Sequence, residues 1–287
     1  MKRKVPVGVI TAAGRATRMW PASKVCPKEL FPLGKVPILV YIIWELMDAG
    51  IERIVIVAGQ ENAGAIRQLL DPAIKGPEKF VSDPLVRRFS ETLDTIGFTV
   101  IEQSGPYGNG TPLINAGPCL GNDPCIYAFA DDIILGENIS AGLIHTYVET
   151  DCPVMSCQSV EEHRKPALGI LECTTRSGVH FISRFVEKPA PGTTTSNLAS
   201  LGRYLVTPEL RGHLAQTKVG RAGELWFADS VINMLGHGEP VCALPLSTGR
   251  WFTVGDPDGF ADAVAAMRDL SWNYPEIRSM EAPSVMR

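Results

Sequence analysis

Short apolar segments rich in Val and Ile recur along the first half of the chain, separated by stretches in which apolar residues return every three or four positions. Amphipathic spacing over 37–49 and 61–70 predicts two helices, because apolar residues at this period form one helix face. Strands that alternate with helices form βαβ units, so the order predicts an α/β fold with a mainly parallel mixed sheet and helices on both faces. The apolar segments are VPVGVI, RIVIVAG, FTVIEQ, CIYAFA and PVMSCQ, at residues 5–10, 53–59, 98–103, 125–130 and 153–158.

The pattern changes in the second half of the chain. Three shorter apolar segments, at 168–173, 179–186 and 199–205, predict a mixed and partly antiparallel extension of the sheet. The tail is expected to hold one helix over 257–270 and then a frayed end. The polar, proline-containing segment 71–90 is expected to be exposed and helical in part.

Composition narrows the class of protein. With 287 residues, 45% of them hydrophobic, the chain is long enough for one large α/β domain with a full core. A formal net charge of −4 argues against nucleic-acid partners, which require a basic face. No apolar run reaches the roughly 18 residues of a membrane span, and the start MKRK leads into a strand, so we expect a cytoplasmic protein without a membrane segment. The seven cysteines are scattered and expected to be reduced thiols, and the five histidines show no metal-ligand spacing.

The segment at residues 8–34, GVITAAGRATRMWPASKVCPKELFPLG, carries the most specific chemistry. A strand runs into the small residues Ala12, Ala13 and Gly14, whose backbone N–H groups can approach an anion closely. Two cations, Arg18 and Lys28, follow and supply countercharge. The loop therefore predicts a phosphate cradle, although it is neither a P-loop nor a G-x-G-x-x-G dinucleotide fingerprint.

Two acidic residues, Asp131 and Asp132, directly follow the apolar segment CIYAFA. Open α/β sheets bind ligands at the carboxyl ends of their strands, where this pair is expected to lie. A carboxylate in that place suits Mg²⁺, a hard cation that takes a carboxylate together with substrate phosphates. Asp131 is the candidate ligand, and Asp132 is expected to be a helix cap or a supporting group.

A candidate base-recognition segment follows the strand at 98–103. The amide of Gln103 offers both a donor and an acceptor, which suits the edge of uracil or thymine. In the loop SGPYGNGT, Gly108 and Gly110 allow the backbone to approach a flat base.

These blocks resemble the nucleotide-sugar pyrophosphorylases and, more narrowly, the bacterial UTP–glucose-1-phosphate uridylyltransferases. AGRATRMWPASKVCPKELFPL is similar to the family pattern A-G-x-G-T-R-x-x-P-x-[ST]-K-x-x-P-K-E, with Ala16 at the second glycine. FADDIIL resembles the metal-site segment, FVEKP and SNLASLGRYL resemble the sugar-side segments, and GELWFADSV resembles the family's G-D-E-I-Q-L-T-D-A-I. Several blocks in the family's order make the resemblance specific over most of the chain.

The resemblance implies a Rossmann-like fold of GT-A type with a small antiparallel sugar-binding extension. It implies a nucleotide half at about 1–135, a sugar-phosphate half at about 136–255, and a C-terminal helix and tail at 256–287. The expected reaction joins a nucleoside triphosphate to a sugar 1-phosphate and releases pyrophosphate, with Mg²⁺ as the cofactor. The leading candidates for the two substrates are UTP and glucose 1-phosphate. A homo-oligomer, dimer or tetramer, is also implied.

The resemblance assigns roles to individual residues. Arg18 is expected to neutralise the β- and γ-phosphates, Lys28 to stabilise the α-phosphate, and Lys188 to hold the sugar phosphate, whereas Asp131 is the expected metal ligand. The residues implied in nucleotide binding are Ala12, Ala13, Gly14, Arg15, Gln103, Gly108, Gly110 and Asp131. Those implied in sugar-phosphate binding are Gly169, Glu187, Lys188, Asn197 and Glu224.

The chain departs from the family pattern mainly on the sugar side. Leu168, Gly223 and Trp226 replace a tyrosine, an aspartate and a glutamine, which makes the expected sugar pocket more apolar. Thr111 and Pro112 stand where the family usually has His-Ala. The second metal-binding aspartate is replaced by Thr253, so that Asp256 or Asp258 substitutes for it, the metal rests on Asp131 and phosphates alone, or turnover is impaired.

These departures leave alternatives open. The same chemistry could use dTTP or another nucleotide with an unusual sugar or cyclitol phosphate. The chain could instead be a non-catalytic relative that binds a nucleotide sugar and regulates a partner enzyme. Thr253 favours this interpretation. The intact charged residues oppose it, namely Arg18, Lys28, Asp131 and Lys188. A glycosyltransferase of related sheet architecture is a weaker alternative, because the fold is shared but the N-terminal phosphate loop is not typical of glycosyltransferases.

Overall fold

The computed structural model of the chain describes residues 4–74, 82–220 and 223–267. Within these residues the strands are β1 (Val7–Ala12), β2 (Pro32–Leu33), β3 (Val36–Pro37), β4 (Arg53–Ala58), β5 (Gly97–Glu102), β6 (Cys125–Phe129), β7 (Asp132–Leu135), β8 (Val154–Ser159), β9 (Gly169–Arg176), β10 (Val179–Glu187), β11 (Leu198–Val206), β12 (Cys242–Pro245) and β13 (Arg250–Thr253). The α-helices are α1 (Ile38–Asp48), α2 (Gln60–Leu69), α3 (Pro84–Thr95), α4 (Thr111–Leu120), α5 (Ile139–Thr150), α6 (Pro208–Gln216), α7 (Phe227–Gly236) and α8 (Pro257–Met267).

One nine-stranded sheet in the order β5-β4-β1-β6-β11-β8-β12-β10-β9 organises the molecule. The strands from the first half of the chain, β5, β4, β1 and β6, are all parallel. From β11 onward the pairing is antiparallel except between β8 and β12, and β9 and β10 form an antiparallel hairpin at the edge. The predicted α/β fold, with a mixed sheet and a partly antiparallel second half, is confirmed.

The sheet is covered on both faces because successive strand residues point to opposite sides. In β1, Ile10 packs in one core with α1, α5 and α8, whereas Val9 packs in the other with α4, α6 and α7. Strands buried on both faces are expected to be apolar at every position, as the segments 5–10 and 54–58 are. Among the described helices, none is long and apolar enough to cross a membrane.

The predicted elements agree with the structure to within a few residues. The segment 71–90 contains the start of α3, whose first turn is capped by Asp83, since its side chain accepts a hydrogen bond from Leu85 N at 3.0 Å. This segment is therefore helical in part, as predicted, although 75–81 lies outside the described residues. The predicted helix at 257–270 is present as α8, and the frayed end predicted after it falls outside the described residues.

Candidate active site

Two adjoining clefts open beside the carboxyl ends of β1 and β6. The first, of about 230 Å³, is the loop cleft; it is lined by Thr11, Ala13, Gly14, Lys28, Glu29, Gln103, Tyr107, Gly108 and Glu224. The second, of about 530 Å³, is the aromatic cleft; the aromatic rings that line this cleft alone are Phe185, Tyr204, Phe227 and Trp251, and its other lining residues include Arg18, Asp132, Gly169, Glu187, Lys188, Thr253 and Asp256. Asn109, Phe129, Asp131 and Trp226 line both clefts. The two spaces therefore meet at Asp131.

The loop after β1 is compact and follows the floor of the loop cleft. Ala12 is buried as the last residue of β1, and Ala13 and Gly14 line the cleft. A Cβ atom on Gly14 would lie 3.3 Å from Lys28 Nζ, so the missing side chain leaves room for the lysine. Arg15 lies outside both linings: it is exposed and its guanidinium stacks 4.8 Å from the Tyr107 ring centroid.

Lys28 and Asp131 form an ion pair at the junction of the clefts. Lys28 lies in a short 3₁₀ turn, Lys28–Leu30, and is only 7% exposed. Its Nζ contacts Asp131 Oδ2. Burial opposes the charged amine, but the Asp131 carboxylate, together with the charges of Glu29 and Asp132, outweighs this effect, so the pKa of the lysine is raised. Burial likewise opposes the carboxylate, yet the ammonium keeps the pKa of Asp131 below its ordinary value. Both groups are therefore charged at neutral pH.

Asp132 has a different environment from its neighbour. Trp251 Nε1 donates a hydrogen bond to Asp132 Oδ1 at 2.8 Å, and the Arg164 guanidinium lies 4.9 Å from the Trp251 ring centroid. Burial and the adjacent negative charge of Asp131 raise the pKa of Asp132 to about 7. Asp132 does not cap the following helix, since Asn138 is the N-cap of α5, and its place beside Asp131 is that of a supporting group.

Glu29 lines the loop cleft and was given no role by the sequence. It is 1% exposed, and neither carboxylate oxygen has a hydrogen-bond partner among the described residues. Burial raises its pKa to about 7, even though the nearby Lys28 ammonium lowers it. Its only signal in the sequence is a carboxylate beside a cation, a pair that is common on protein surfaces. The tertiary structure thus shows a feature that the sequence did not indicate, a buried carboxyl group in this cleft without a hydrogen-bond partner among the described residues.

The loop that follows β5 forms one wall of the loop cleft. Gln103 donates its backbone N–H to Ala58 O at 2.8 Å, which continues the pairing of β5 with β4 and places Gln103 in the cleft lining. Gly108 has φ +130°, and a Cβ atom there would collide with the Leu225 backbone. Gly110 donates its N–H to Leu225 O at 2.9 Å and precedes α4. Gly108 therefore lines the cleft, whereas Gly110 lies behind it and fixes the wall.

Three of the predicted sugar-side residues, Gly169, Glu187 and Lys188, lie together in the lining of the aromatic cleft. Gly169 and Glu187 are paired across β9 and β10, and a Cβ atom on Gly169 would lie 2.9 Å from Glu187 Oε2. Burial raises the pKa of Glu187. Lys188 directly follows β10 at φ +47°, and its Nζ lies 4.6 Å from the Trp226 ring centroid. These four residues line the aromatic cleft together, with the Lys188 ammonium over the Trp226 ring and the Glu187 carboxylate next to it in the chain.

Two predicted sugar-phosphate residues lie elsewhere. Glu224 lines the loop cleft and forms a β-bridge with Tyr107, so it belongs to the wall that the glycine loop packs against. Asn197 is exposed and lines neither cleft; its backbone carbonyl accepts a hydrogen bond from Val160 N at 2.9 Å. The structure therefore brings together Gly169, Glu187 and Lys188, but not Asn197, and the roles assigned to Glu224 and Asn197 stay predictions.

The segment that carries Thr253 passes directly beside Asp131. Val254 N donates to Asp131 O at 2.7 Å, and a Cβ atom on Gly255 would lie 3.0 Å from Asp131 Oδ2. Asp256 lines the aromatic cleft, where its Oδ2 lies 3.5 Å from Arg18 Nη1. Asp258 is exposed and lines neither cleft. Of the two substitutes considered for the missing aspartate, only Asp256 lies in this corner.

The residues at this corner fit a hard divalent cation. Within 4–74, 82–220 and 223–267, no group of three or more His, Cys, Asp and Glu side chains is arranged to hold a metal by itself. Asp131 nevertheless offers carboxylate oxygen, and Gly255 leaves space beside it because a side chain there would crowd Oδ2. Mg²⁺ commonly binds through one or two carboxylates plus substrate phosphates. The donor set thus fits a cation shared with a phosphate ligand.

Comparison with known proteins identifies the family of the chain. Residues 7–269 match the family described as Nucleotidyl transferase. The chain is 34% identical to a UTP–glucose-1-phosphate uridylyltransferase of Bacillus subtilis, over 98% of this chain and 96% of the relative. It is 33% identical to UTP–glucose-1-phosphate uridylyltransferase 2 of Staphylococcus saprophyticus, over 94% of each chain.

A solved structure supports the same relationship. A UDP-glucose pyrophosphorylase complexed with UDP-glucose superimposes with a TM-score of 0.83 at 25% identity, over 93% of this chain and 99% of that one. The expected fold and the resemblance found in the motifs are confirmed. The match of motif order, fold and cleft geometry shows that the chain is an enzyme that belongs to the nucleotidyl transferase family.

Proposed function

We propose that this enzyme transfers the uridylyl group of UTP to glucose 1-phosphate and releases pyrophosphate. The observation that carries the proposal is the meeting of the two clefts at Asp131, with Lys28 on one side and Arg18 and Lys188 on the other. A reaction between two phosphorylated substrates requires this arrangement, because each must bring a phosphate to the same point. The names of the relatives supply the identities of both substrates.

UTP is assigned to the loop cleft. Gln103 and Gly108 line the part of the cleft that suits a pyrimidine, since the amide can both donate to and accept from the base. Ala13 and Gly14 border the path of the phosphates towards Lys28, as a loop of small residues allows. Glucose 1-phosphate is assigned to the aromatic cleft, where Glu187 accepts hydrogen bonds from sugar hydroxyls and Lys188 binds the phosphate.

The reaction is an in-line attack of the sugar phosphate oxygen on the α-phosphorus, with pyrophosphate leaving. Such transfers depend mainly on positioning and on charge stabilisation. Lys28 is nearly fully buried and stays charged, so its ammonium can stabilise the charge that develops on the α-phosphate oxygens. Arg18 is exposed at the mouth of the aromatic cleft and can pair with the leaving pyrophosphate. Lys188 orients the attacking phosphate.

Asp131 would hold Mg²⁺, and Asp256 is the second carboxylate in reach of that corner. The metal, when bound, supplies positive charge that neutralises phosphate oxygens. Thr253 offers no charge, so we assign the metal to Asp131 and the nucleotide phosphates, as Mg²⁺ permits. All seven cysteines are free thiols, which supports a cytoplasmic enzyme. A homo-oligomer and a division at residue 135 between the nucleotide and sugar halves stay part of the proposal.

A second substrate pair is favoured by one observation. Leu168 and Trp226, which replace a tyrosine and a glutamine of the family pattern, both line the aromatic cleft and make its wall more apolar than that pattern implies. A less hydroxylated sugar or cyclitol phosphate would suit these side chains, and the chemistry at Asp131 would be the same.

The test is pyrophosphate release with Mg²⁺, measured for UTP, dTTP, CTP, ATP and GTP against a panel of sugar 1-phosphates. Fast release only with UTP and glucose 1-phosphate supports the main proposal. Release with another pair supports the second substrate pair. Nucleotide binding without release from any pair would contradict both proposals and favour a regulatory relative.

A further inference from the structure

Arg203 is a fully buried arginine in β11 that touches both ends of the turn carrying Asp131. Its side chain has no solvent exposure. Nη1 donates to Phe129 O at 3.1 Å, and Nη2 donates to Asp132 O at 2.9 Å. Phe129 and Asp132 flank Ala130 and Asp131, so one planar guanidinium bridges the two carbonyl groups on either side of the predicted metal ligand.

The guanidinium is also held along its Nε–Nη2 edge by Glu45 of α1. Arg203 Nε lies 3.2 Å from Glu45 Oε1 and 3.1 Å from Oε2. Ser140 of α5 donates its hydroxyl to Glu45 Oε1 at 2.5 Å. Asn138 donates its side-chain amide to Glu45 O at 2.9 Å. The turn at Asp131 is thus connected through Arg203 to two helices of the core.

The remaining backbone groups of the turn have partners of their own. Ala130 N donates to Thr11 O at 3.1 Å, and Val254 N donates to Asp131 O at 2.7 Å. The Phe129 and Asp132 carbonyls depend on Arg203 in addition to the contacts within their strands. Only a guanidinium presents donors in a planar fork that can bind two carbonyls and a carboxylate together; a lysine ammonium is a single point charge.

Stability alone does not account for a buried charged pair. Taking an arginine and a glutamate out of water costs several kcal/mol per ion, and apolar replacements of similar volume are often neutral or stabilising. The hydrogen bonds of Arg203 instead fix the conformation of the turn that carries Asp131. Such supporting hydrogen bonds keep a functional carboxylate in its productive position.

We propose that Arg203, oriented by Glu45, is a positioning residue that sets the Asp131 carboxylate for metal binding and for its contact with Lys28. The proposal rests on the proposed function, in which Asp131 holds the cation. It predicts that weakening the fork loosens the metal site without changing the sugar-side wall, which is built by β9, β10 and Trp226.

The experiment compares Arg203→Lys and Glu45→Gln with the wild type and with a matched control, Thr92→Val. Thr92 is also fully buried and accepts a hydrogen bond from Trp44 Nε1 at 2.9 Å, so its loss perturbs the residue next to Glu45 in α1 without reaching the turn at Asp131. The readouts are Mn²⁺ affinity by electron paramagnetic resonance, with and without UTP, the Mg²⁺ concentration that gives half-maximal turnover, kcat, and KM for glucose 1-phosphate. Thermal melting ranks the stability of all variants.

We expect Arg203→Lys to weaken Mn²⁺ binding and to raise the half-maximal Mg²⁺ concentration by tenfold or more, with a lower kcat and a KM for glucose 1-phosphate within twofold. Glu45→Gln should show a smaller change in the same direction, and Thr92→Val should lose stability but keep the metal response. If Arg203→Lys responds to metal as Thr92→Val does, the proposal is wrong. Absence of wild-type turnover would overturn the proposed function instead, and the Mn²⁺ titration would still decide the role of Arg203.

Discussion

The loop cleft and the aromatic cleft share a border at Asp131 but are built in different ways. The loop cleft keeps the small residues and the cation of the motif at 8–34. Its contacts are close, since Lys28 touches Asp131 and Gly108 packs directly on Leu225. The aromatic cleft is lined by Leu168 and Trp226, where the family pattern has a tyrosine and a glutamine, yet Glu187 and Lys188 keep their places in its wall. Charges aimed at phosphates have few chemical substitutes, whereas contacts with a sugar face can be made by many side chains.

The largest effect expected from breaking this arrangement is that of Lys28→Ala. Loss of the buried ammonium should lower kcat by about a thousandfold, on the order of 4 kcal/mol, because no other cation replaces it at the α-phosphate. The Asp131 side chain is 28% exposed, so water can solvate it and the protein stays folded. Steady-state kinetics and circular dichroism measure both quantities.

The control is Lys24→Ala, which removes an exposed lysine from the preceding 3₁₀ turn, Ala22–Lys24, and should leave kcat unchanged. An unchanged kcat in Lys28→Ala would remove Lys28 from the mechanism.

The next largest effect is on the free energy of unfolding, through the ionisation of Glu29 in the loop cleft. The pKa of Glu29 is raised to about 7 from an ordinary value of 4.5, so the folded protein holds a proton there that the unfolded chain has released. Between these values the free energy of unfolding falls as the pH rises, by up to about 3 kcal/mol, and this loss is complete above pH 7. Glutamine cannot ionise, so Glu29→Gln does not show this pH-dependent fall in the free energy of unfolding. The variant should match the wild type near pH 4.5 and exceed its free energy of unfolding at pH 8 by up to about 3 kcal/mol.

Urea unfolding at both pH values measures the difference for Glu29→Gln. Glu61→Gln, an exposed position in α2, should show the same offset from the wild type at each pH. A Glu29→Gln offset that does not change with pH would show that Glu29 is already ionised in the folded protein.

A third effect tests the glycine wall. Gly108→Ala places a Cβ atom against the Leu225 backbone at a positive φ, so it should cost at least about 2 kcal/mol of stability and raise KM for UTP at least tenfold. Gly117→Ala is the matched control, because nothing lies within 4 Å of a Cβ atom there and alanine favours the interior of α4. Thermal melts and KM values for both substrates separate the two. A tolerated Gly108→Ala would mean that this wall rearranges freely.

The smallest expected effect lies in the aromatic cleft. Trp226→Leu removes the aromatic face beside Lys188, so KM for glucose 1-phosphate should rise about fivefold, near 1 kcal/mol, and should rise more than KM for UTP. Trp20→Leu is a control with a similar pair, since Lys24 lies 5.7 Å from the exposed Trp20 ring, outside both clefts. Equal increases in both KM values would show that Trp226 serves the nucleotide as much as the sugar.

Some parts of the site were beyond the reach of the sequence for a physical reason. Asp256 and Asp258 are chemically equivalent oxygen ligands, so the sequence could not choose between them. The packing of β13 and α8 places Asp256 beside Arg18 and leaves Asp258 exposed. Asn197 fits a motif but lies at an exposed position before β11. Glu29 looks like half of an ordinary surface charge pair in the sequence, but its carboxylate is buried and has no hydrogen-bond partner within the described part of the chain.

The sequence by itself determined the alternation of strands and helices in the first half of the chain, the loop of small residues after β1 and the charges that follow it. These are local properties, since periodicity, small residues and the position of a charge after a strand act over a few neighbouring positions. Only the tertiary structure decided which groups meet. Lys28 and Asp131 stand 103 positions apart and touch because β1 and β6 are parallel neighbours, and Arg203 reaches the same turn from β11 on the other side of β6. Contacts of this kind arise from the packing of whole strands, which no local pattern encodes.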